Sequence, residues 1–288
     1  MESTAPGPTS RYRRRRVYNA LGLALSAGAM LLGLFALGWI LLTLAYEGLS
    51  ALNWAFFTAS TPAPGTPGGG MANAIVGSLM MVGFATLVST PIGILAGIYL
   101  AEFGAKSRFA QVTRFVTDIM LSAPSIVIGL FVFALAVATT RQFSGWAGSI
   151  ALSLIAIPVV VRTTENMLSL VPGSLREAAF ALGTPRWKVN LAVTLRAVRG
   201  GVITGVLLAI ARIFGETAPL LFTSLSNQFF NADMSKPMAS LPVVIYNFAL
   251  SPYEDWQRLA WGGAALIAII VLAINIIARS MFRDAPRS

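Results

Sequence analysis

The sequence predicts an all-α polytopic membrane protein with six transmembrane helices. Of its 288 residues, 56% are hydrophobic and only 11% are charged, with a mean hydropathy of +0.74. Average soluble domains carry about 25% charged residues, so this composition excludes an ordinary water-soluble fold. The sequence also lacks the strand-type alternation, with turns about every ten residues, that is typical of an outer-membrane barrel.

Six apolar stretches are each long enough to cross a bilayer, for which about 20 mostly apolar residues suffice. They are residues 18–46, 72–100, 115–138, 146–164, 201–224 and 259–279. The first stretch follows five arginines within residues 11–16, as the apolar core of a signal peptide would. Its apolar run is far longer than the roughly 7–15 residues of a cleavable signal, however, so we expect an uncleaved first helix.

Lysine and arginine are concentrated in alternate connecting segments. With the N-terminus inside, 17 of the 21 basic residues fall in inside segments or at the inside ends of the stretches, 3 fall outside and Arg212 lies within a span. Because basic residues mark the cytoplasmic side, we expect both termini to be cytoplasmic, with a basic tail over residues 1–17 and a second tail over 281–288. The net charge of +10 is then a topology signal, and we expect no nucleic-acid binding.

The residues needed for most cofactor and catalytic chemistry are missing. The chain has 0 Cys and 0 His, which removes the usual zinc and iron–sulfur ligands, the cysteine nucleophile and the histidine base. It also contains no G-x4-G-K-[ST] phosphate loop. We therefore expect no metal, no cofactor and no catalytic residue in this chain; if ATP drives it, a separate polypeptide binds the ATP and Mg²⁺.

The segment between the fourth and fifth stretches predicts two short helices joined by an elbow. Its boundary signals are a break at Pro172-Gly173, a capping box at Ser174 and Glu177, a left-handed glycine at Gly183, and a helix start at Thr184-Pro185. An eight-residue helix is marginal in water, so this one must pack on something. Two interpretations stay open: packing against its own bundle, or docking on a partner.

This elbow resembles the EAA loop of ABC importer permeases, whose pattern is EAA-x3-G-x9-I-x-L-P. The matching residues here are Glu177, Ala178, Ala179, Gly183, Val193 and Leu195. Val193 stands in place of the family's Ile, and Arg196 in place of its Pro. In that family the loop is a cytoplasmic coupling helix that docks on a separate ATPase subunit. The resemblance implies this role for Glu177, Ala178, Ala179 and Gly183, within a coupling loop over about 165–199.

The fifth stretch carries a charged pair. Arg212 lies near its centre, and Glu216 follows about 6 Å further along a helix axis on nearly the same face. A central arginine costs about 2.5–3.5 kcal/mol on insertion scales, so it needs a partner or a water-filled pathway.

Two interpretations of this pair stay open. In one, the pair only neutralises charge. In the other, Arg212 binds a passing oxyanion with its planar fork, Glu216 weakens that binding, and Thr217 adds a hydroxyl. Pro219 predicts a kink.

Residues 211–223 closely resemble the corresponding segment of PstA-type permeases of phosphate ABC importers, and the resemblance covers about residues 65–280. Further matching segments are 72–78, 124–129 and 225–229. The sister PstC-type permeases typically continue Gly-Glu-Thr with Met, whereas Ala218-Pro219 follows here. The resemblance implies a permease domain over residues 18–280 of a bacterial inner-membrane protein, which forms half of a phosphate translocation pathway through Arg212 and Glu216.

The same resemblance implies the partners: a PstC-type permease subunit in a heterodimer, a dimer of ATPase subunits, a periplasmic phosphate-binding protein and the surrounding lipid. Three alternatives remain. In the first, the chain carries another oxyanion such as sulfate or molybdate. In the second, it is an ion-coupled secondary transporter in which Asp118 and Glu216 bind protons or cations. In the third, it is a scaffold without a transport role.

The remaining charged and small residues near span ends have ordinary explanations. Arg114 and Asp118 stand four residues apart and predict a local ion pair, whereas Arg162 and Glu165 are expected to anchor the fourth span at the interface. Small residues four apart let helices approach closely. They occur at Gly93, Gly97, Gly201 and Gly205.

Overall fold

The computed structural model describes residues 10–104 and 107–280, and the regular elements within these ranges are all helical. The predicted all-α membrane class is thereby confirmed. The tail residues 1–9 and 281–288, and Lys106 of the charge count, lie outside the described residues. By its internal contacts the chain divides into two units, Met1–Glu47 and Gly48–Ser288.

Helix α1 (Ser10–Ala51) makes up the described part of the first unit and ends within the second. Its 42 residues correspond to a length of about 63 Å at 1.5 Å per residue, about twice the thickness of the hydrocarbon core of a bilayer. The predicted first span therefore lies within a longer helix. The arginine-rich residues 11–16 continue that same helix instead of forming a separate extended tail.

The second unit contains all other elements. They are α2 (Trp54–Thr58), α3 (Ala72–Glu102), α4 (Arg108–Ser122), α5 (Ser125–Val132), a π-helical turn (Phe133–Val137), α6 (Ala138–Thr140), α7 (Gly145–Ser169), α8 (Gly173–Ala181), α9 (Arg186–Lys188), a second π-helical turn (Val189–Thr194), α10 (Leu195–Ala197), α11 (Arg199–Phe214), α12 (Ala218–Thr223), α13 (Leu241–Ala249) and α14 (Glu254–Ser280). Of the described helices, α1, α3, α7 and α14 are each long and apolar enough to cross a membrane alone.

The predicted third span is not one straight helix. Helix α4 ends at Ser122, and the helical segment Ser125–Thr140 continues at an angle of 107° to it. The cause is Pro124, whose ring pushes the preceding Ala123 out of the helical region to φ −67°, ψ 137°. The predicted span 115–138 therefore lies in a bent pair of helices. A second bent pair consists of Arg186–Ala197 and Arg199–Phe214, which meet at 74°. The described helices make four crossings, or up to six if each bent pair counts as one span.

The predicted fifth span is interrupted as well. In a continuous helix, the ring of Pro219 would clash with the carbonyl of Gly215. The chain instead ends α11 at Phe214 and starts α12 at Ala218, with Pro219 in the first turn, where no N–H is needed. The predicted kink is therefore a full break, and Arg212 lies in the last turn of α11 instead of at the centre of a span.

Helices α3 and α7 form the most extensive contact of the second unit. A Cβ atom on Gly93 would lie 2.6 Å from the Cβ of Val160, and one on Gly97 would lie 2.6 Å from the Cβ of Thr164. Both distances are too short for a side chain, so the glycines are what lets the two backbones approach. The predicted packing role of this glycine pair is confirmed.

Candidate functional site

Arg212 and Glu216 face each other across the end of helix α11. The Arg212 Nε and Glu216 Oε1 atoms are 4.0 Å apart, which permits attraction but is too long for a hydrogen bond. The Arg212 side chain is 42% exposed and that of Glu216 is 16% exposed. A guanidinium that is open on one side and only loosely paired on the other has donors left for a ligand.

Backbone geometry holds this pair in place. Arg212 occupies the last turn of α11, where the helix dipole favours a cation. Beyond it, the N–H groups of Gly215 and Glu216 donate to the carbonyls of Arg212 and Ile213, each at 3.3 Å, so the helix tightens and stops. The neighbouring Ile213 and Phe214 are buried, which anchors the turn to the core.

Thr217 belongs to the same break. It directly precedes α12, and its carbonyl accepts the N–H groups of Leu220 and Leu221 at 3.1 and 3.2 Å. Its hydroxyl does not cap that helix. The structure therefore brings together the three residues predicted as a translocation site: Arg212 lies in the last turn of α11, and Glu216 and Thr217 lie in the non-helical residues that follow. Non-helical backbone at membrane depth is tolerated where protein or a water-filled cavity surrounds it.

Helix α12 after the break is fixed by helix α5. A Cβ atom on Gly129 would lie 2.5 Å from the Cα of Pro219, so the backbones touch at this glycine. Pro219 and Leu220 are buried. Gly129 ends one of the segments that match the phosphate permeases, and its packing role explains why a side chain there would displace the chain beyond Arg212.

Helix α8 of the elbow does not start as predicted. Pro172 is its N-terminal flanking residue, without a side-chain capping bond, and the carbonyl of Pro172 accepts the N–H of Leu175 at 3.2 Å. The predicted capping box is therefore wrong: Ser174 lies inside the first turn. The ring of Pro172 fixes its own φ near the value that a helix entry needs. The position directly before α8 is therefore filled by this proline and not by a hydroxyl residue.

Helix α8 does end as predicted. Gly183 has φ +74°, its N–H donates to the Phe180 carbonyl at 2.9 Å, and the Thr184 N–H donates to the Ala179 carbonyl at 3.2 Å. These two bonds make up a Schellman motif, which a left-handed glycine allows. The second helix begins at Arg186, with Pro185 as its flanking residue. The predicted flanking residue, Thr184, is therefore one residue too early.

The predicted coupling residues divide into an exposed and a buried set. Glu177, Ala178 and Gly183 are exposed, whereas Ala179 is buried and packs the helix on its own protein. The elbow also exposes large apolar side chains in an otherwise polar segment. They are Leu175, Phe180, Leu182 and Trp187. A partner surface could cover these side chains, and no sequence pattern had pointed to Leu182 or Trp187.

An ion-pair network joins helices α4 and α7, and the local pair predicted for Arg114 and Asp118 is wrong. Arg114 Nε lies 2.6 Å from Glu165 Oε1, and Arg162 bridges Glu165 at 3.0 Å to Asp118. Arg114 also donates to the Leu100 carbonyl at 2.7 Å. An i,i+4 pair on an exposed face contributes only a few tenths of a kcal/mol, so the crossing of two helices decides the partners.

Sequence reasoning missed two further polar positions. Arg176, next to Glu177, pairs with Glu102 at 2.9 Å, and the side chain of Asn73 is 2% exposed with several hydrogen bonds. Asn73 belongs to a segment matching the phosphate permeases, which was its only sequence signal. The partners of both residues are distant along the chain, so no local pattern could have identified them.

Comparison with known sequences gives two kinds of match. The profile of the family described as binding-protein-dependent transport system inner membrane component matches residues 93–283. A Yersinia pestis protein named "Phosphate transport system permease protein PstA" is 59% identical over 268 residues, covering 93% of this chain and 91% of the relative. The protein of the same name from Haemophilus influenzae is 58% identical and covers 95% and 96%.

Two solved structures share the fold at low sequence identity. The MetNI methionine ABC transporter, in inward-facing conformations, superposes with a TM-score of 0.57 at 17% identity, over 74% of this chain and 94% of that one. A bacterial ABC transporter involved in the import of the acidic polysaccharide alginate gives a TM-score of 0.57 at 14% identity, over 96% and 100%. At these identities the likeness concerns the fold.

Proposed function

This chain belongs to the binding-protein-dependent transport system inner membrane component family, and we propose that it forms half of the inorganic phosphate pathway of an ATP-driven importer. It is a multi-pass inner-membrane permease subunit. Phosphate as the cargo is supported by relatives at 59%, 58% and 57% identity that are named phosphate transport system permease proteins.

Arg212 is the residue that contacts phosphate. Its guanidinium offers a planar fork of donors, which matches two oxygens of a phosphate group. It is 42% exposed and lies at a break in the helix. The single observation that carries this assignment is the loose contact of 4.0 Å with Glu216, because a close two-pronged pair would occupy the two donors of the fork that a phosphate group needs.

Glu216 and Thr217 adjust the strength of binding. A carboxylate 4.0 Å from the guanidinium competes with phosphate for it, so the anion is held weakly enough to leave. Thr217 has no capping bond and contributes a hydroxyl donor at the same break. Together these three side chains favour passage of an anion over its retention.

Helix α8 is the contact with a separate ATPase. Its exposed Glu177 and Ala178 make this contact together with the turn at Gly183 and the exposed side chains of Leu182, which follows α8, and Trp187, which lies in α9. We place this surface, together with both chain termini, in the cytoplasm. The full importer contains a PstC-type permease, an ATPase dimer that binds ATP and Mg²⁺, and a periplasmic phosphate-binding protein.

Uptake measurements test the proposal. Membrane vesicles that contain this chain with the partner subunits should take up radiolabelled phosphate when ATP is supplied, and should stop when the ATPase is omitted. Excess sulfate or molybdate should not compete. Uptake without the ATPase, or efficient competition by sulfate, would contradict the proposal, the first by favouring an ion-coupled carrier and the second by changing the cargo.

A further inference from the structure

We propose that Arg176 and Glu102 are positioning residues that tie helix α8 to helix α3, so that a displacement of α8 is carried along α3 to the segment 225–240. The inference rests on the proposed function, because it takes α8 as the place where the ATPase acts. It concerns how a displacement of α8 is transmitted to the rest of the chain. Neither the exposed residues of the elbow nor the Arg212 site explains this transmission.

The Arg176 guanidinium makes a two-pronged contact with Glu102. Its Nη2 atom lies 2.9 Å from Glu102 Oε1, and its Nε atom lies 3.2 Å from both carboxylate oxygens. The side chains are 21% and 10% exposed respectively. Fork-like arginine–carboxylate contacts fix orientation as well as distance, and partial burial protects this one from screening by salt.

The same guanidinium also holds the end of helix α7. Its Nη1 atom donates to the Val171 carbonyl at 2.7 Å, and Nη2 donates to the Leu168 carbonyl at 2.9 Å. Leu168 and Val171 are buried. This one side chain of α8 therefore contacts the turn before α8, the end of α7 and the end of α3, so α8 moves separately only if all three contacts break.

The position of Glu102 is unusual for helix stability. It is the last residue of α3, where the dipole of the helix disfavours a negative charge. A carboxylate that is largely buried at this end requires a compensating cation, and Arg176 provides it. The helix dipole does not explain why a glutamate occupies the last position of α3, whereas its ion pair with Arg176 of α8 does.

Helix α3 is suited to carry a displacement over a long distance. It stays helical over 31 residues, a length of about 46 Å, although Pro91 in its interior removes one backbone hydrogen bond. Gly93 and Gly97 let it lie directly on α7, so the two helices pack as one body over their contact. The end that holds Glu102 and the end that begins at Ala72 are therefore mechanically joined.

The other end of α3 is bonded to the segment that follows the Arg212 site. The buried Asn73 donates to the carbonyls of Asn227 and Gln228 at 2.8 and 3.2 Å. Ser78 Oγ accepts the N–H of Leu241 at 2.8 Å. Because α12 leads directly into this segment, a shift of α3 pulls on the chain next to the translocation site.

The absence of cysteine from the sequence allows a direct test. A single reporter, Phe230→Cys, lies at an exposed position of the segment 225–240. In the complete transporter, ATP should change the rate at which this cysteine reacts with a maleimide. Arg176→Gln and Glu102→Gln should each abolish that change and lower phosphate uptake per ATP hydrolysed about fivefold or more, with the ATPase still bound.

Matched variants separate this link from general damage. Arg279→Gln removes the same charge from an exposed position at the end of α14, outside the coupling loop, and should change neither readout. Because a single substitution leaves a partly buried charge unpaired, the double variant Arg176→Gln/Glu102→Gln supplies the test if a single variant fails to assemble. The double variant should be no worse than either single variant, as expected for residues that act as a pair.

Two results overturn the inference, and they differ from failure of the proposed function. The first is that ATP still changes the maleimide reaction rate at Phe230→Cys when Arg176→Gln or Glu102→Gln is also present. The second is that phosphate uptake per ATP hydrolysed is unchanged in both Arg176→Gln and Glu102→Gln. Either result would contradict the link while leaving the importer intact. Absence of ATP-dependent phosphate uptake by the unsubstituted chain with its partners would instead contradict the proposed function itself.

Discussion

Arg212 and Glu216 stand 4.0 Å apart at the point where helix α11 stops, close enough to attract each other and too far apart to share a hydrogen bond. A continuous helix would also place them on one face, but the break at Gly215 lets the carboxylate approach without closing on the guanidinium. The resulting loose pair is what makes reversible anion binding chemically reasonable at this position.

Removing the carboxylate charge should make phosphate harder to release. Glu216→Gln keeps the size of the side chain and leaves the Arg212 guanidinium free for the anion. We expect the apparent KM for phosphate and the maximal uptake rate both to fall by about twofold to fivefold. This change corresponds to an interaction energy of about 0.5–1 kcal/mol, which is typical of an exposed ion pair. Initial-rate uptake curves measure this, with Glu254→Gln at the exposed start of α14 as the control. A raised KM would argue that Glu216 helps to bind phosphate.

The surface of α8 should be needed for ATPase binding. Glu177 is exposed, so Glu177→Ala removes a charged contact without disturbing the core, and we expect binding of the ATPase to weaken about tenfold or more. Co-purification of the ATPase with this chain measures the effect. Retention of the ATPase at the normal level would count against the docking role.

The left-handed turn at Gly183 should matter as much as the exposed charge. A β-branched residue at φ +74° carries a backbone cost of about 1–2 kcal/mol, so Gly183→Val should displace the end of α8 and reduce ATPase binding. Gly173→Ala is the matched control in the same helix, because its Cβ atom would meet no other atom within 4 Å. Equal binding by both variants would contradict the prediction.

The contact of α3 with α7 predicts a stability difference between two glycines of one helix. Gly97→Ala places a Cβ atom 2.6 Å from the Thr164 Cβ and should cost about 1–3 kcal/mol. Gly83→Ala faces open space and should be neutral or slightly stabilising, since alanine favours helix. Thermal unfolding of the two variants in detergent compares them; a Gly97→Ala variant as stable as Gly83→Ala would show that the helices can separate without loss.

Asp118 should not be a proton-coupling site. Its carboxylate contacts Arg162, and the side chain is 56% exposed, so the pair is worth about 1 kcal/mol or less. We expect Asp118→Asn to change ATP-driven phosphate uptake by less than about fivefold. In vesicles depleted of ATP, an imposed proton gradient should drive no uptake. Uptake under that gradient which disappears in Asp118→Asn would support the secondary-transporter alternative.

The apolar spans were predictable because membrane insertion depends on composition over a long window. Residues 72–100 and 146–164 correspond closely to α3 and α7. The breaks were harder, since Pro124 and Pro219 both predict distortion but only packing decides whether the helix bends or stops. The start of α8 was missed by two residues and that of α9 by one, because Pro172 and Pro185 took the flanking position that a hydroxyl residue was expected to fill.

For the candidate sites, short-range rules predicted the end of α8 and the Arg212–Glu216 contact, but neither the start of α8 nor the partners of the other arginines. Gly183 was predictable from local helix-ending rules, and Arg212 with Glu216 from their spacing along the chain. The partners of Arg176 and Arg114 lie 74 and 51 residues away, at Glu102 and Glu165. Which carboxylate a guanidinium meets in such cases depends on how whole helices cross, and a single sequence contains no local pattern for that.

Uptake of phosphate by Arg212→Ala, in vesicles where the ATPase still co-purifies at the normal level, tests the role of Arg212 most directly. Loss of a charged donor should reduce ATP-driven uptake about tenfold or more, and Arg212→Lys should restore little of it because an ammonium lacks the planar fork. Near-normal uptake by Arg212→Ala would contradict the account, and the pair with Glu216 would then only neutralise charge.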